Sequence, residues 1–409
     1  MEQVQSIRNA RVRGREGLFD LALAADGRIE RVEPASGRPA GPAEIDAGGM
    51  LVVPSFIDSH LHLDLAYSLD LVPPNESGTL AEAIRHWERV KRDLTPDNVC
   101  ERAIRAIREE VSFGTGFIRT HVDVGTSAGL RLCEGVLAAR ERTRDLVDIQ
   151  VVAFPQDGIL QDPGVLDVMR EALRMGCDLV GGIAHNERTD DDSRRHIDLL
   201  FDLAEEFDRD IDCHIDETDD PNSRCTEVLA ARTIERGWKG RVTASHVCAL
   251  AAYDNVHAAK VIRLLAAAEV NVVTNPGVNL HLQGRFDRYP KRRGLTRVRE
   301  LLAAGVNVSA GQDCIRDPFY PLGTGSLLEV GHLLIHADHL STAAQIERVA
   351  DVITANAART LRLSQYGLEP GCRADLVVLP VNAMHEAFRT RPAPLAVLKR
   401  GVRHARNGP

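Results

Sequence analysis

The chain has 409 residues, 44% hydrophobic and 27% charged, a composition that excludes a disordered polymer and allows one large barrel with attachments. Its formal net charge of −9 argues against a nucleic-acid binder, which needs clustered cations to neutralise phosphates. Eight cysteines show no Cys-x-x-Cys spacing, so neither a thiolate zinc site nor a redox pair is indicated. With no signal-peptide pattern and no apolar run of about 18 residues, a reducing cytoplasm and no membrane partner are expected.

In chain order, residues 5–50 read as short strands, with Asp26-Gly27 as a tight hairpin turn between runs 21–25 and 29–32. From there to about residue 314, short apolar β-branched runs alternate with amphipathic segments. The runs are 51–57, 116–124, 148–154, 178–184, 209–214, 241–246, 269–274 and 305–310; helical patterns at 80–94, 97–111, 194–207 and 298–304 fall between them. Strands apolar throughout, each followed by a helix, predict a parallel sheet covered by helices, and eight of them predict a (β/α)8 barrel. No glycine-rich phosphate loop follows the first run, against the rival open doubly wound sheet. Runs 374–379 and 395–402 return to the style of the N-terminus. The predicted organisation is a catalytic barrel over 51–365 and a small β-sandwich assembled from 1–50 and 366–409.

Catalytic groups of such a barrel come from the C-terminal ends of its strands, and the polar residues fall there. His60 and His62 close the first run, and alternate residues of a strand point the same way. Alone, His-x-His is equally two satisfied polar residues. The fifth run ends in Asp212-Cys213-His214 with Glu217 just beyond, the sixth in Ser245-His246, and the eighth in Gly311-Gln312-Asp313-Cys314. Four strand ends offering His, His, His, His and Asp together are hard to explain as structural polar groups. His60, His62, His214 and Asp313 suit one borderline divalent ion, zinc or ferrous iron, which would lower the pKa of its water to about 7. A bridged ion pair would need a lysine on the fourth run, and 178–185 contains none; His185 there reads as structural or supporting. The basic stretch Pro290-Lys291-Arg292-Arg293-Gly294 is either a solvated loop end or a loop anchor near the site.

Longer motifs surround these residues: Ser77-Gly78-Thr79-Leu80, Arg119-Thr120-His121-Val122-Asp123-Val124, Val152-Ala153-Phe154-Pro155-Gln156, Asn279-Leu280-His281-Leu282-Gln283-Gly284-Arg285-Phe286-Asp287 and Asp317-Pro318-Phe319-Tyr320-Pro321-Leu322-Gly323. On them the chain resembles the amidohydrolase superfamily, and within it the cytosine deaminase branch, over nearly its whole length. The resemblance implies hydrolytic deamination of a small free base, with ammonia released and water consumed. Asp313 would be ligand and base, His246 would bond the attacking water, and Glu217 would protonate the ring nitrogen beside the attacked carbon. Gln156, with Phe154 beside it, would read the ring's amide edge, since a carboxamide both donates and accepts. The resemblance further implies a homo-oligomer.

The family's cytosine enzymes typically read Gly-His-Asp-Asp where this chain has Gly311-Gln312-Asp313-Cys314, and carry tryptophan in place of Phe319. Both changes make the wall near the ring's C5 less polar or smaller, which predicts acceptance of a C5 methyl group: 5-methylcytosine, then cytosine. Pro73-Pro74-Asn75-Glu76, standing where those enzymes carry a tryptophan-containing segment, keeps other aminated azines open, such as isocytosine or an N-alkylamino triazine. Ring-opening hydrolysis of the dihydropyrimidinase type and a non-catalytic scaffold are the more distant alternatives.

Overall fold

The computed structural model describes residues 2–404. Eight parallel strands follow one another in chain order around a sheet: β1 (Phe56–Leu61), β2 (Thr115–Asp123), β3 (Asp148–Phe154), β4 (Leu179–Ile183), β5 (Asp210–Ile215), β6 (Val242–His246), β7 (Asn271–Thr274) and β8 (Val308–Ala310). The sheet closes almost fully through a parallel bridge between Leu61 and Asp313. Six of the strands are buried at every residue, and β3 and β5 nearly so, because helices cover the outside while side chains fill the inside. The centre of the barrel is not wholly aliphatic. Arg119 of β2 lies within it, paired with Asp212 of β5 at 2.9 Å.

The terminal segments build one continuous curled sheet where a sandwich was expected. Its order is Glu2–Gln3, Val402–Arg403, Ala396–Lys399, Leu376–Leu379, Leu51–Pro54, Ser6–Val12, Phe19–Leu23 and Ile29–Pro34, with Glu44–Asp46 also pairing Ser6–Val12. It encloses a separate apolar cluster including Ile7, Leu21, Ile29, Val52, Leu376 and Leu398. The Asp26-Gly27 turn forms as read: Gly27 has φ +81°, and a Cβ there would lie 2.6 Å from the Arg400 carbonyl oxygen, so only glycine fits.

One expectation needs correction. The apolar run 51–57 is not a single barrel strand. Leu51–Pro54 pairs antiparallel with Leu376–Leu379 in the terminal sheet, and β1 starts at Phe56. The exchange happens at Ser55, whose amide donates to Asp375 O (2.8 Å), while the next amide, of Phe56, donates to Gly114 O (2.9 Å). Both sheets bury this run, so apolarity alone does not reveal the handover.

The terminal sheet is further tied by charge. Arg8 bonds Asp20 (3.0 Å) and Glu44 (2.8 Å), joining three of its strands. Burial raises the Asp20 pKa, but the amides of Ser36 and Asn9, the Ser36 hydroxyl and Arg8 outweigh it and hold the carboxyl at about 2. A carboxylate depressed from 3.8 stabilises the fold fully above that value and loses the contribution as pH falls through about 2. Asp20→Asn should therefore cost about 1.5–3 kcal/mol at neutral pH. In urea melts across a pH series, the gap between variant and parent should shrink steadily below pH ~4. A gap independent of pH would show that Asp20 stabilises by packing alone.

Candidate active site

The C-terminal rim of the barrel gathers the titratable side chains expected of it. His60 lies within β1 and His62 one residue past its end; His214 is in β5 and His246 closes β6. Asp313 and Glu217 stand in the loops after β8 and β5. The bridge that closes the barrel passes through the ligand positions themselves, with His62 N donating to Asp313 O (2.9 Å) and Asp313 N to His60 O (2.7 Å). Asp58, fully buried, accepts from the amides of His60 (3.0 Å) and Gln312 (3.1 Å), bracing the same junction. His246 (φ +73°) and Asp313 (φ +69°) both occupy the left-handed region, and the β-branched Val247 follows at φ +51°. Such conformations cost on the order of 1–3 kcal/mol each and persist where surrounding contacts over-determine them.

The donor atoms converge. His62 Nε2 and His214 Nε2 lie 3.1 Å apart, and Asp313 Oδ1 lies 3.6 Å from His60 Nε2 and 3.5 Å from His62 Nε2. Ligand atoms around a tetrahedral zinc, each about 2.0–2.1 Å from it, sit roughly 3.3 Å apart. His60 Nε2 and Asp313 Oδ2 are buried without hydrogen-bond partners. Donor atoms of His60, His246 and Asp313, and separately of His60, His121 and His214, also fall within 4.8 Å of one another. Burial, then the neighbouring charges, push the pKa of His60 and His214 well below the usual imidazole value, and burial takes His62 down to about 3. These rings are neutral, the form a metal ligand requires. Burial and then Glu217 push Asp313 the other way, so its ionised form calls for a cation. The His/Asp cluster could thus hold a metal ion, His60 with His121 and His214 or with His246 and Asp313 being the triads whose donor atoms come together.

A cavity opens over this cluster. Its wall includes Gln156, Glu217, Cys314 and Phe319, with Leu80, Val278 and Leu282 completing an apolar rim. Burial raises the Glu217 carboxyl to about 8, and its Oε1 lies 3.5 Å from His246 Nδ1. Phe154 does not belong to the wall. It is fully buried and stacked on the His214 ring at 4.2 Å, supporting an imidazole where contact with substrate was expected. Cavity-facing residues begin two positions later in that segment, at Gln156, beyond the strand end.

Several neighbours had no assigned role in the sequence. His121, on the inward face of β2 with Arg119, has its ring 4.1 Å from that of His60, tilted by 33°. Its parity with Arg119 was the available signal. Asn279 Nδ2 meets His246 Nδ1 at 3.0 Å. Lys91, fully buried just after the helix α1 (Leu80–Val90), bonds Asp123 (2.9 Å) and Asp157 (2.6 Å), tying the segment after Gln156 to the barrel. The basic stretch 290–294 is an anchor: Arg292 bonds Asp287 and the carbonyl of Asp219, two residues beyond Glu217. His185 lies in a short 3-10 turn beyond β4, outside the donor cluster.

Comparison with known proteins agrees with this arrangement. The amidohydrolase family model matches residues 43–404. The structure of 5-methylcytosine deaminase from Klebsiella pneumoniae liganded with 5-fluorocytosine is 42% identical, with a TM-score of 0.95 over 98% of both chains. N-isopropylammelide isopropyl amidohydrolase of Pseudomonas sp. (strain ADP) is 33% identical over 97% of this chain and 95% of its own length. Pterin deaminase of Rhizobium rhizogenes is also 33% identical, over 94% of this chain and 88% of its own. With its rim of histidines and a carboxylate over a nearly closed parallel barrel, the chain belongs to the amidohydrolase family, in the cytosine deaminase branch, and is a hydrolase of C–N bonds.

Proposed function

We propose that the protein is a metal-dependent hydrolytic deaminase of a free aminopyrimidine, converting 5-methylcytosine to thymine or cytosine to uracil with release of ammonia. The observation that carries this reading is the cavity in which Glu217, Gln156 and Cys314 face the His60–His62–His214–Asp313 cluster. One zinc or ferrous ion held by those four side chains would supply a water acidic enough to ionise near neutral pH.

The remaining chemistry belongs to the chain. Asp313 Oδ2, without a hydrogen-bond partner and 3.8 Å from His246, takes a proton from the attacking water while His246 orients that water. A carboxyl raised to about 8 is protonated at pH 7, so Glu217 can donate to the ring nitrogen beside the attacked carbon and then to the departing ammonia. Gln156, 4% exposed, offers a donor and an acceptor to the ring's amide edge. Cys314 and Phe319 make a wall that a methyl group can pack against without stripping water from a carboxylate.

A second reading is hydrolysis of an N-alkylated aminotriazine, favoured by the likeness to the N-isopropylammelide enzyme. The leaving group separates the two: ammonia from the pyrimidine, an alkylamine from the triazine.

Metal analysis should find one divalent ion per chain; its removal by chelation should abolish ammonia release and its return restore it. Glu217→Gln should lower kcat roughly 100- to 10,000-fold with the ion retained, as expected for loss of a proton donor. For the C5 wall, kcat/KM should favour 5-methylcytosine over cytosine, and Cys314→Asp should reverse that preference by roughly 10–200-fold, the worth of one methyl contact. Parent enzyme that strongly prefers unsubstituted cytosine would remove the C5 assignment while leaving the deaminase reading intact.

A further inference from the structure

Beneath the rim, His60 is engaged on its far side. His60 Nδ1 lies 3.1 Å from the hydroxyl of Ser245 in β6, and that hydroxyl donates to Asp212 Oδ1 in β5 at 2.7 Å. The other carboxylate oxygen, Oδ2, accepts from Arg119 Nη1 at 2.9 Å. Arg119 is held in turn by Thr243 Oγ1 (3.2 Å), the carbonyl of Thr360 (3.0 Å) and Gln150 (2.9 Å). All four members of the chain His60–Ser245–Asp212–Arg119 are at most 1% exposed.

The direction of these bonds follows from proton inventory. A guanidinium is always charged, so the carboxylate facing it at 2.9 Å is ionised and only accepts. The one hydroxyl proton of Ser245 is therefore committed to Asp212. Towards His60 the hydroxyl has only lone pairs, so His60 Nδ1 must carry a proton. A neutral imidazole has one N–H, which leaves His60 Nε2 as a bare lone pair. That is the atom 3.6 Å from Asp313 Oδ1 and without a partner of its own.

We propose that Ser245 and Asp212 are positioning residues that lock His60 in the Nδ1–H tautomer and so present Nε2 to the metal. The proposal rests on the metal reading given above. The buried ion pair is then more than packing: it sets the polarity of a hydroxyl two bonds away from the ligand atom. Partners of this kind raise ligand basicity and fix ring orientation, and their loss typically costs about 10- to 100-fold in metal affinity.

The experiment is a chelator competition for zinc with metal-free full-length protein, read beside two-bond nitrogen–proton NMR of labelled histidine. Parent protein should hold one zinc and show His60 as the Nδ1–H tautomer in the metal-free state. Ser245→Ala should keep its melting behaviour, lose the single His60 tautomer and bind zinc about 10- to 100-fold more weakly. Ser245→Thr, which keeps the hydroxyl, should restore both readouts to within about threefold of the parent, whereas a purely steric role for Ser245 would not tie rescue to the hydroxyl. Asp212→Asn, whose amide can donate to the hydroxyl and so release its polarity, should match Ser245→Ala; if it fails to fold, the Ala/Thr pair decides alone. A folded Ser245→Ala protein with parental zinc affinity and an unchanged His60 tautomer overturns the proposal. Parent protein that holds no divalent ion would instead overturn the metal reading beneath it.

Discussion

The site depends on how the barrel closes. Between β1 and β8 there is little regular pairing, only the Leu61–Asp313 bridge and the two backbone hydrogen bonds around it. Those bonds join His60, His62 and Asp313 through their main chains, so the register of closure and the spacing of three donor side chains are a single geometric quantity. A slip of one residue would turn each side chain to the opposite face. Asp58 braces the junction by accepting amides from both sides of it, and the left-handed backbone at Asp313 turns the carboxylate back over the rim. Closure energy and site geometry are thus supplied by the same contacts.

A second constraint is the balance of charge inside a space with almost no water. The imidazoles are neutral because burial penalises their charged form, and Asp313 resists ionisation for the same reason. A metal cation held there would relieve both at once, accepting the lone pairs and compensating the carboxylate. One level down, the Arg119–Asp212 pair shows the alternative solution, in which the cation is a side chain. The barrel interior therefore carries two polar layers, the lower neutralised by its own ion pair, and Ser245 is the link between them.

Much of this was legible in the residues. Periodicity gave the count of eight and located the second to eighth barrel strands, because strands buried on both faces must be apolar throughout, while the first began later than its apolar run; the strand ends then exposed the cluster of histidines and Asp313. What escaped did so for physical reasons. The run 51–57 looked uniform because two different sheets bury it. Phe154 is close in sequence to the substrate wall but, being still within β3, stacks on His214; in that segment the cavity is first reached at Gln156, past the strand end. His121, Asn279 and Lys91 gain their meaning from partners 32 to 66 positions away, as in the bonds of Lys91 to Asp123 and Asp157 and of Asn279 to His246, and no local pattern encodes such distances. The Cys314 and Phe319 departures were readable only against the family's usual residues.

The handover at Ser55 makes the terminal sheet a mechanical extension of the catalytic centre. Four residues separate Ser55 from His60, all within β1, with no loop between them. The handover is not the sole attachment: Lys399 bonds the Gly116 carbonyl and Asp148 (2.9 Å each) and Arg373 bonds Asp148 (3.0 Å), so the appendage also grips β2 and β3 at their N-terminal ends, away from the site.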